Sequence, residues 1–97
     1  MPATLEELIH TYSRMTWEQL KYCHQGFNRY IFDNQQQMQK YSECLTDQDL
    51  RSIYNVDGEE GAQRNINYCK EALKRYTLNQ SAITYCLENK KYKDAFL

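Results

Sequence analysis

The sequence predicts an all-α fold, a small bundle of four to five helices around one long central helix, in a single domain that spans residues 1–97. The composition is the first reason for this prediction. Three glycines, one proline and a single valine beside nine tyrosines do not suit the turns and β-branched strands of a sandwich or barrel. The second reason is that apolar residues recur at helical spacing along most of the chain.

A short motif that occurs three times is the third reason. It consists of an aliphatic residue, one spacer, a tyrosine and a cysteine, and its copies are residues 20–23, 66–69 and 83–86. In the first two copies an apolar residue follows four positions after the cysteine and a tyrosine seven positions after it. These residues are Phe27, Leu73, Tyr30 and Tyr76. Because positions i, i+3, i+7 and i+10 of a helix share one face, each copy predicts one packing stripe.

The first helix is predicted over about residues 5–14. It begins at a capping box, Thr4-Leu5-Glu6-Glu7, in which a hydroxyl accepts from the N3 amide and a carboxylate reaches back. Its apolar residues Leu5, Leu8, Ile9 and Tyr12 share one face.

The second helix is the longest periodic segment. A capping box at Thr16-Trp17-Glu18-Gln19 opens it, and roughly 28 residues would extend about 40 Å. We expect Trp17 and Phe27 to anchor the core. Its heptad seam comprises Trp17, Leu20, His24, Phe27, Ile31, Asn34, Met38, Tyr41 and Leu45. The polar Asn34 either sets register and partner choice or marks a bend or a solvent-facing part of the helix, and both interpretations remain open.

Three further helices are predicted. A short one after Thr46 contains Leu50, Ile53 and Tyr54 and ends at the turn residues 55–58. A fourth over about 59–76 and a last one over about 79–93 follow, and the final four residues fray unless Phe96 and Leu97 dock. Antiparallel packing of the long helix against the last two would bring the three tyrosine-cysteine stripes together.

The length and the layout of the chain indicate a binding or structural protein rather than an enzyme. A chain of 97 residues supplies one modest core but no deep enclosed active site. No apolar run is long enough to span a membrane and the N-terminus has no secretory layout, so we expect a cytoplasmic protein. We expect Cys23, Cys69 and Cys86 to be buried and reduced, since cysteines on helical core stripes behave as small hydrophobic residues.

Metal, cofactor and catalytic chemistry have little support in the sequence. Cys23 and His24 are adjacent, but no second ligand stands at the short spacing that zinc sites use. A site assembled from Cys44, Cys69 and Cys86 across helices is the less favoured alternative. Residues 55–58 lack the alternating oxygen ligands of a calcium loop. No nucleophile triad or glycine-rich phosphate loop occurs, so we expect no catalytic residues, no metal and no cofactor.

The net charge of −1 hides an asymmetry along the chain. Residues 1–60 contain five Lys/Arg and ten Asp/Glu, whereas residues 61–97 contain seven and three, giving balances of −5 and +4. Basic residues interleaved with tyrosines are typical of surfaces that follow phosphates and stack on bases. The candidate partner-binding residues are Arg64, Lys70, Lys74, Arg75, Lys90, Lys91, Tyr92 and Lys93. Lysines near a helix C-terminus also have a capping explanation, and a pI near 6.1 argues against stand-alone nucleic-acid binding.

These observations favour a non-enzymatic helical interaction module, either a small subunit of a larger cytosolic assembly or a protein that docks on one. In size and helical class the chain resembles the small helical subunits of CRISPR effector complexes and compact phage inhibitors of such assemblies. No motif underlies this resemblance, so no residue is transferred from it. A protein partner is expected, nucleic-acid contact within a complex and self-association are compatible with the pattern, and a membrane is not. The alternatives are a phage-type inhibitor that acts by protein contact and a thiol- or metal-dependent sensor that uses the four cysteines.

Overall fold

A computed structural model describes the backbone of residues 3–94 and the side chains of residues 3–89. Four helices and no strand occur in this part of the chain, which confirms the all-α class. The helices are α1 (Leu5–Tyr12), α2 (Trp17–Cys44), α3 (Gln48–Ile53) and α4 (Gly58–Asp94).

The starts of α1 and α2 lie where the capping boxes predict them. The Thr4 Oγ1 accepts a hydrogen bond from the Glu7 amide at 3.2 Å. At α2 the box is reciprocal: the Gln19 amide donates to Thr16 Oγ1 at 3.1 Å and the Thr16 amide donates to Gln19 Oε1 at 2.9 Å. The prediction of a long second helix is confirmed, with 28 residues. Helix α1 ends at Tyr12, earlier than predicted.

Helix α3 is positioned by hydrogen bonds at both of its ends. Its N-cap is Asp47, whose Oδ1 accepts from the amides of Asp49 and Leu50 at 3.0 and 3.1 Å. The Arg51 Nη1 donates to the carbonyl oxygens of Cys44 and Leu45 at 2.8 and 3.2 Å. Arg51 therefore satisfies carbonyls at the C-terminus of α2, which otherwise lack a helical partner.

The two C-terminal helices predicted over 59–76 and 79–93 are in fact one helix, α4, of 37 residues. The last helix was predicted to begin at about Asn79. Instead the Asn79 Nδ2 donates to the carbonyl oxygen of Arg75 at 2.8 Å, one helical turn back. Its Oδ1 accepts from the Tyr12 hydroxyl at 2.6 Å. Both ends of the Asn79 amide thus have partners inside a continuous helix.

The contacts divide the chain into two compact units. The terminal unit comprises residues 1–30 and 75–97, and the middle unit comprises residues 31–74. Helices α2 and α4 each contribute one part to each unit. The single domain over residues 1–97 stays a prediction.

The terminal unit has a core to which α1, α2 and α4 all contribute. Its buried residues are Tyr12, Leu20, Ala82, Ile83 and Cys86, and the partly buried residues packed on them are Leu8, Ile9, Met15, Cys23, Phe27 and Leu87. Within this unit α2 and α4 are antiparallel, since Leu20 shares the core with Ile83 while the Phe27 ring lies 6.0 Å from the Tyr76 ring. The tyrosine-cysteine stripes of the first and third copies meet in this core, and the stripe of the second copy reaches the same unit through Tyr76.

Trp17 departs from the prediction that it anchors the core together with Phe27. Phe27 packs on the core of the terminal unit, but Trp17 is only partly buried and does not belong to that cluster. The Lys21 Nζ lies 4.5 Å from the centroid of the Trp17 ring. Leu20, which is fully buried, takes the central position on this part of α2.

The buried residues of the middle unit are mostly small. They are Cys44, Gly61, Ala62, Ile66, Cys69 and Ala72. A Cβ added at Gly61 would lie 3.3 Å from the Asp57 Cβ and 3.5 Å from the Val56 Cγ1. The first turn of α4 therefore packs closely on the turn that precedes it.

Candidate interaction surfaces

The tyrosine of each repeat points outward. Tyr22, Tyr68 and Tyr85 are 78%, 71% and 52% exposed, whereas the aliphatic residues two positions before them are buried. Two residues correspond to a rotation of about 200° on a helix, so a buried aliphatic residue places the following tyrosine on the opposite side. The repeat therefore produces an inward aliphatic-cysteine pair and an outward tyrosine in each copy.

The tyrosines that follow the first two copies behave differently. The Tyr30 and Tyr76 rings lie 5.4 Å apart in the terminal unit, and both also contact Phe27, at 5.8 and 6.0 Å. These three rings form an aromatic cluster in tilted and edge-to-face geometry, which favours aromatic pairs. The predicted stripes of the first two copies thus end in a mutual contact, although Tyr30 remains exposed.

Tyr22 lines two open grooves on the outer surface of the terminal unit. One has a volume of about 530 Å³ and is also lined by Met15, Glu18, Gln19 and Cys23. The other has a volume of about 360 Å³, and Trp17, Lys21 and Gln25 complete its lining with Glu18. An exposed aromatic ring beside apolar and polar groove walls is a typical protein-binding feature.

The cysteines are packing residues for the most part. All four are free, and Cys44, Cys69 and Cys86 are buried. Burial was predicted for Cys69 and Cys86. It was also predicted for Cys23, which is only partly buried. Burial raises the pKa of the Cys69 thiol. The Cys86 Sγ lies 3.5 Å from the carbonyl oxygen of Ile9 and donates to it. A buried thiol with a raised pKa is a poor nucleophile.

The structure describes the side chains of four of the eight predicted partner-binding residues. Arg64, Lys70 and Lys74 are exposed in the middle unit, and Arg75 is exposed in the terminal unit. Lys70 and Lys74 are one turn apart on α4, but Arg64 is rotated from Lys70 by about 120°. The side chains of Lys90, Lys91, Tyr92 and Lys93 lie outside the described residues.

Charge is distributed between the units less unevenly than between the sequence halves. The terminal unit contains seven Lys/Arg and five Asp/Glu, a balance of +2. The middle unit contains five Lys/Arg and eight Asp/Glu, a balance of −3. The middle unit is therefore acidic although it contains Arg64, Lys70 and Lys74. One of these cations is already paired, because the Lys74 Nζ lies 3.4 Å from the Glu71 carboxylate.

No metal-binding arrangement is found among the described residues. No group of three or more His, Cys, Asp or Glu side chains there is placed to hold a metal ion. The less favoured metal site predicted from three cysteines takes its ligands from both units. Cys44 and Cys69 belong to the middle unit and Cys86 to the terminal unit.

In the part of the chain that the structure describes, no helix is long and apolar enough to cross a membrane. No protein-family model matches the chain, and comparison with curated proteins and with solved structures finds no match. The surface therefore supplies the observations on which a function can be argued.

Proposed function

We propose that this chain is a non-enzymatic helical interaction module that docks on a larger assembly through its outward tyrosines. The observation that supports this most strongly is that all three repeats place their tyrosine in solvent while their aliphatic residue is buried. Burial of the aliphatic residues already explains the fold. Tyrosine combines a large apolar ring with a hydrogen-bonding tip, and for that reason it is enriched at protein interfaces.

The other exposed apolar residues support the same proposal. Among the described residues Leu5, Tyr30, Phe32, Ile53 and Tyr54 are also at least 40% exposed. A scattered apolar surface residue needs no explanation. Eight large ones beside ten buried hydrophobic residues, however, indicate surface that is available for burial by a partner.

The test replaces Tyr22, Tyr68 and Tyr85 together by Ser and compares quantitative co-purification of partners from the native cell. Loss of a tyrosine from the centre of an interface typically costs more than 1 kcal/mol of binding free energy. We expect the triple variant to lose the partner that the parent chain retains, with an unchanged circular dichroism spectrum.

The matched control replaces the exposed residues Gln36, Gln39 and Gln63 by Ser, which truncates equally many outward side chains on α2 and α4 and leaves both Tyr22 grooves intact. This variant should retain the partner. Equal retention by both triple variants would overturn the proposal. Nuclease treatment before elution tests whether nucleic acid mediates the contact, because a partner held by direct protein contact is retained after the treatment.

A further inference from the structure

The end of the middle unit that α3 forms combines exposed apolar side chains with a concentration of negative charge. Ile53 is 68% exposed and Tyr54 43% exposed, although both lie on or next to a short helix. Leu50, which shares a helix face with them at i and i+3 or i+4, is partly buried. The apolar face of α3 is thus partly open to solvent at the C-terminal end of the helix, most of all at Ile53.

The segment 43–60 around this surface is strongly acidic. It contains six Asp/Glu and one basic residue, Arg51, a balance of −5. The acidic residues are Glu43, Asp47, Asp49, Asp57, Glu59 and Glu60, and all six are exposed. The Arg51 Nη1 is engaged by the carbonyl oxygens of Cys44 and Leu45 and not by a carboxylate. None of the six carboxylates forms an ion pair within the described part of the chain.

Lys40 is a cation beside Tyr54, and counting it with segment 43–60 changes the balance from −5 to −4. The Lys40 Nζ lies 4.3 Å from the centroid of the Tyr54 ring and 5.3 Å from that of Tyr41. It therefore holds Tyr54 in place by cation–π contact. The apolar pair Ile53 and Tyr54, together with the six exposed acidic residues of segment 43–60, is called the α3 surface below.

We propose that the α3 surface is the docking site for a basic protein partner, an amphipathic segment that presents lysine or arginine around an apolar stripe. The inference rests on the proposed function and names the chemistry of the partner. Interfaces place an apolar core inside a polar rim, and complementary rim charge speeds association and excludes wrong partners. Like charge disfavours nucleic acid and also disfavours pairing of this surface with the same surface of a second copy.

The experiment measures fluorescence anisotropy of a labelled synthetic amphipathic helix made of lysine and leucine, titrated with the full chain. Two further peptides serve as probes: one with glutamate in place of lysine, and an oligolysine without leucine. We expect the lysine-leucine peptide to bind more tightly than either, with affinity that falls as salt rises. Ile53→Ser should weaken its binding about tenfold.

Two charge variants test whether the site is local. The first combines Glu43→Gln, Glu59→Gln and Glu60→Gln at the α3 surface. The second combines Glu6→Gln, Glu7→Gln and Glu18→Gln, which are exposed residues of the terminal unit, in the first turns of α1 and α2. Both change the net charge equally. We expect the first to weaken peptide binding about tenfold and the second less than about twofold.

Equal weakening by the two charge variants, or no effect of Ile53→Ser, would overturn the α3 surface as the site, because binding would then follow overall charge. Preference for the glutamate peptide would overturn the partner chemistry. Self-association seen by sedimentation and abolished by Ile53→Ser would identify a second copy as the occupant and would equally overturn a basic partner. None of these results bears on the tyrosine variants, whose partner retention tests the proposed function independently.

Discussion

Tyr12 connects the first helix to the last by a single hydrogen bond inside the terminal unit. Its ring is buried and its hydroxyl donates to the Asn79 Oδ1 at 2.6 Å. Burial raises the pKa of this phenol, and the nearby Cys23 thiol raises it further once it is ionised. The neutral form of Tyr12 is therefore the form that the folded chain retains.

We predict that Tyr12→Phe lowers the free energy of unfolding by about 1 kcal/mol near neutral pH, the usual net value of one hydrogen bond. The folded pKa of Tyr12 lies above its ordinary value of 10.0, so the unfolded chain loses this proton first. The contribution of Tyr12 is fully present below pH 10.0 and disappears as the pH rises through the folded pKa.

Urea unfolding of the parent and the variant across this range measures the difference directly. Because all other titrating groups are shared, the gap between the two should be constant up to pH 10.0 and narrow above it. A gap that stays constant at higher pH would contradict the pKa assignment. No gap at any pH would mean that the hydrogen bond contributes nothing to stability.

At the scale of the element, continuity of α4 past Thr77 is the feature that a substitution can test most directly. Thr77 is exposed and lies inside the helix. We predict that Thr77→Pro costs about 3 kcal/mol or more, because proline removes one helical hydrogen bond and clashes with the carbonyl four residues earlier. Thr77→Ala should be neutral or slightly stabilising, since alanine has the higher helix propensity.

Chemical denaturation followed by circular dichroism compares the two variants. If α4 were two helices joined near residue 77, proline would be tolerated at the joint and both variants would be about equally stable. A clear loss in the proline variant alone therefore distinguishes one continuous helix from two.

Helix starts could be predicted from the sequence because their chemistry is local. The boxes at Thr4 and Thr16 identify α1 and α2, and each requires only residues within one turn. Continuity through Asn79 could not be predicted in this way, since one partner of its amide, Tyr12, is 67 residues distant in sequence. The partial exposure of Trp17 was not predicted either, because its size and its place in the heptad seam both favoured a core position.

The candidate surfaces were only partly predictable. The outward tyrosines, such as Tyr22, follow from the repeat by helix geometry alone. The prediction from the repeat covered only its inward packing stripe. The α3 surface was not predicted, because the spacing of Leu50, Ile53 and Tyr54 puts an apolar group on α3 without showing which of these residues is covered. The exposure of Ile53 depends on how α3 lies on its unit, which no local pattern encodes.

For the molecule as a whole, the charge balance differs in sign between the terminal unit, at +2, and the middle unit, at −3. Lys90, Lys91 and Lys93 supply three of the seven basic residues of the terminal unit. Replacing all three by Gln changes the balance of this unit from +2 to −1. The helical content should be unchanged, since a lysine near a helix C-terminus typically adds only about 0.3–1 kcal/mol to helix stability.

We predict that this triple variant binds an acidic partner more weakly than the parent, with a single-stranded oligonucleotide as the probe for nucleic acid. Each phosphate contact that is lost should reduce the slope of log affinity against log salt by about one. Anisotropy at two salt concentrations measures the slope. The control combines Arg14→Gln, Lys21→Gln and Arg29→Gln, which removes the same charge from exposed residues outside the candidate set. If neither salt nor the triple change alters binding, these lysines only solvate the end of α4.

The small buried residues of the middle unit have a consequence for how the chain tolerates sequence drift. Where Gly61, Ala62 and Ala72 fill the interior, truncation has little left to remove, while each added methylene must displace its neighbours. In the terminal unit, Leu20 and Ile83 are large and fully buried, so shortening them leaves a cavity. At these buried positions, substitutions that enlarge a side chain should therefore be rare in the middle unit. Substitutions that shorten one should be rare in the terminal unit.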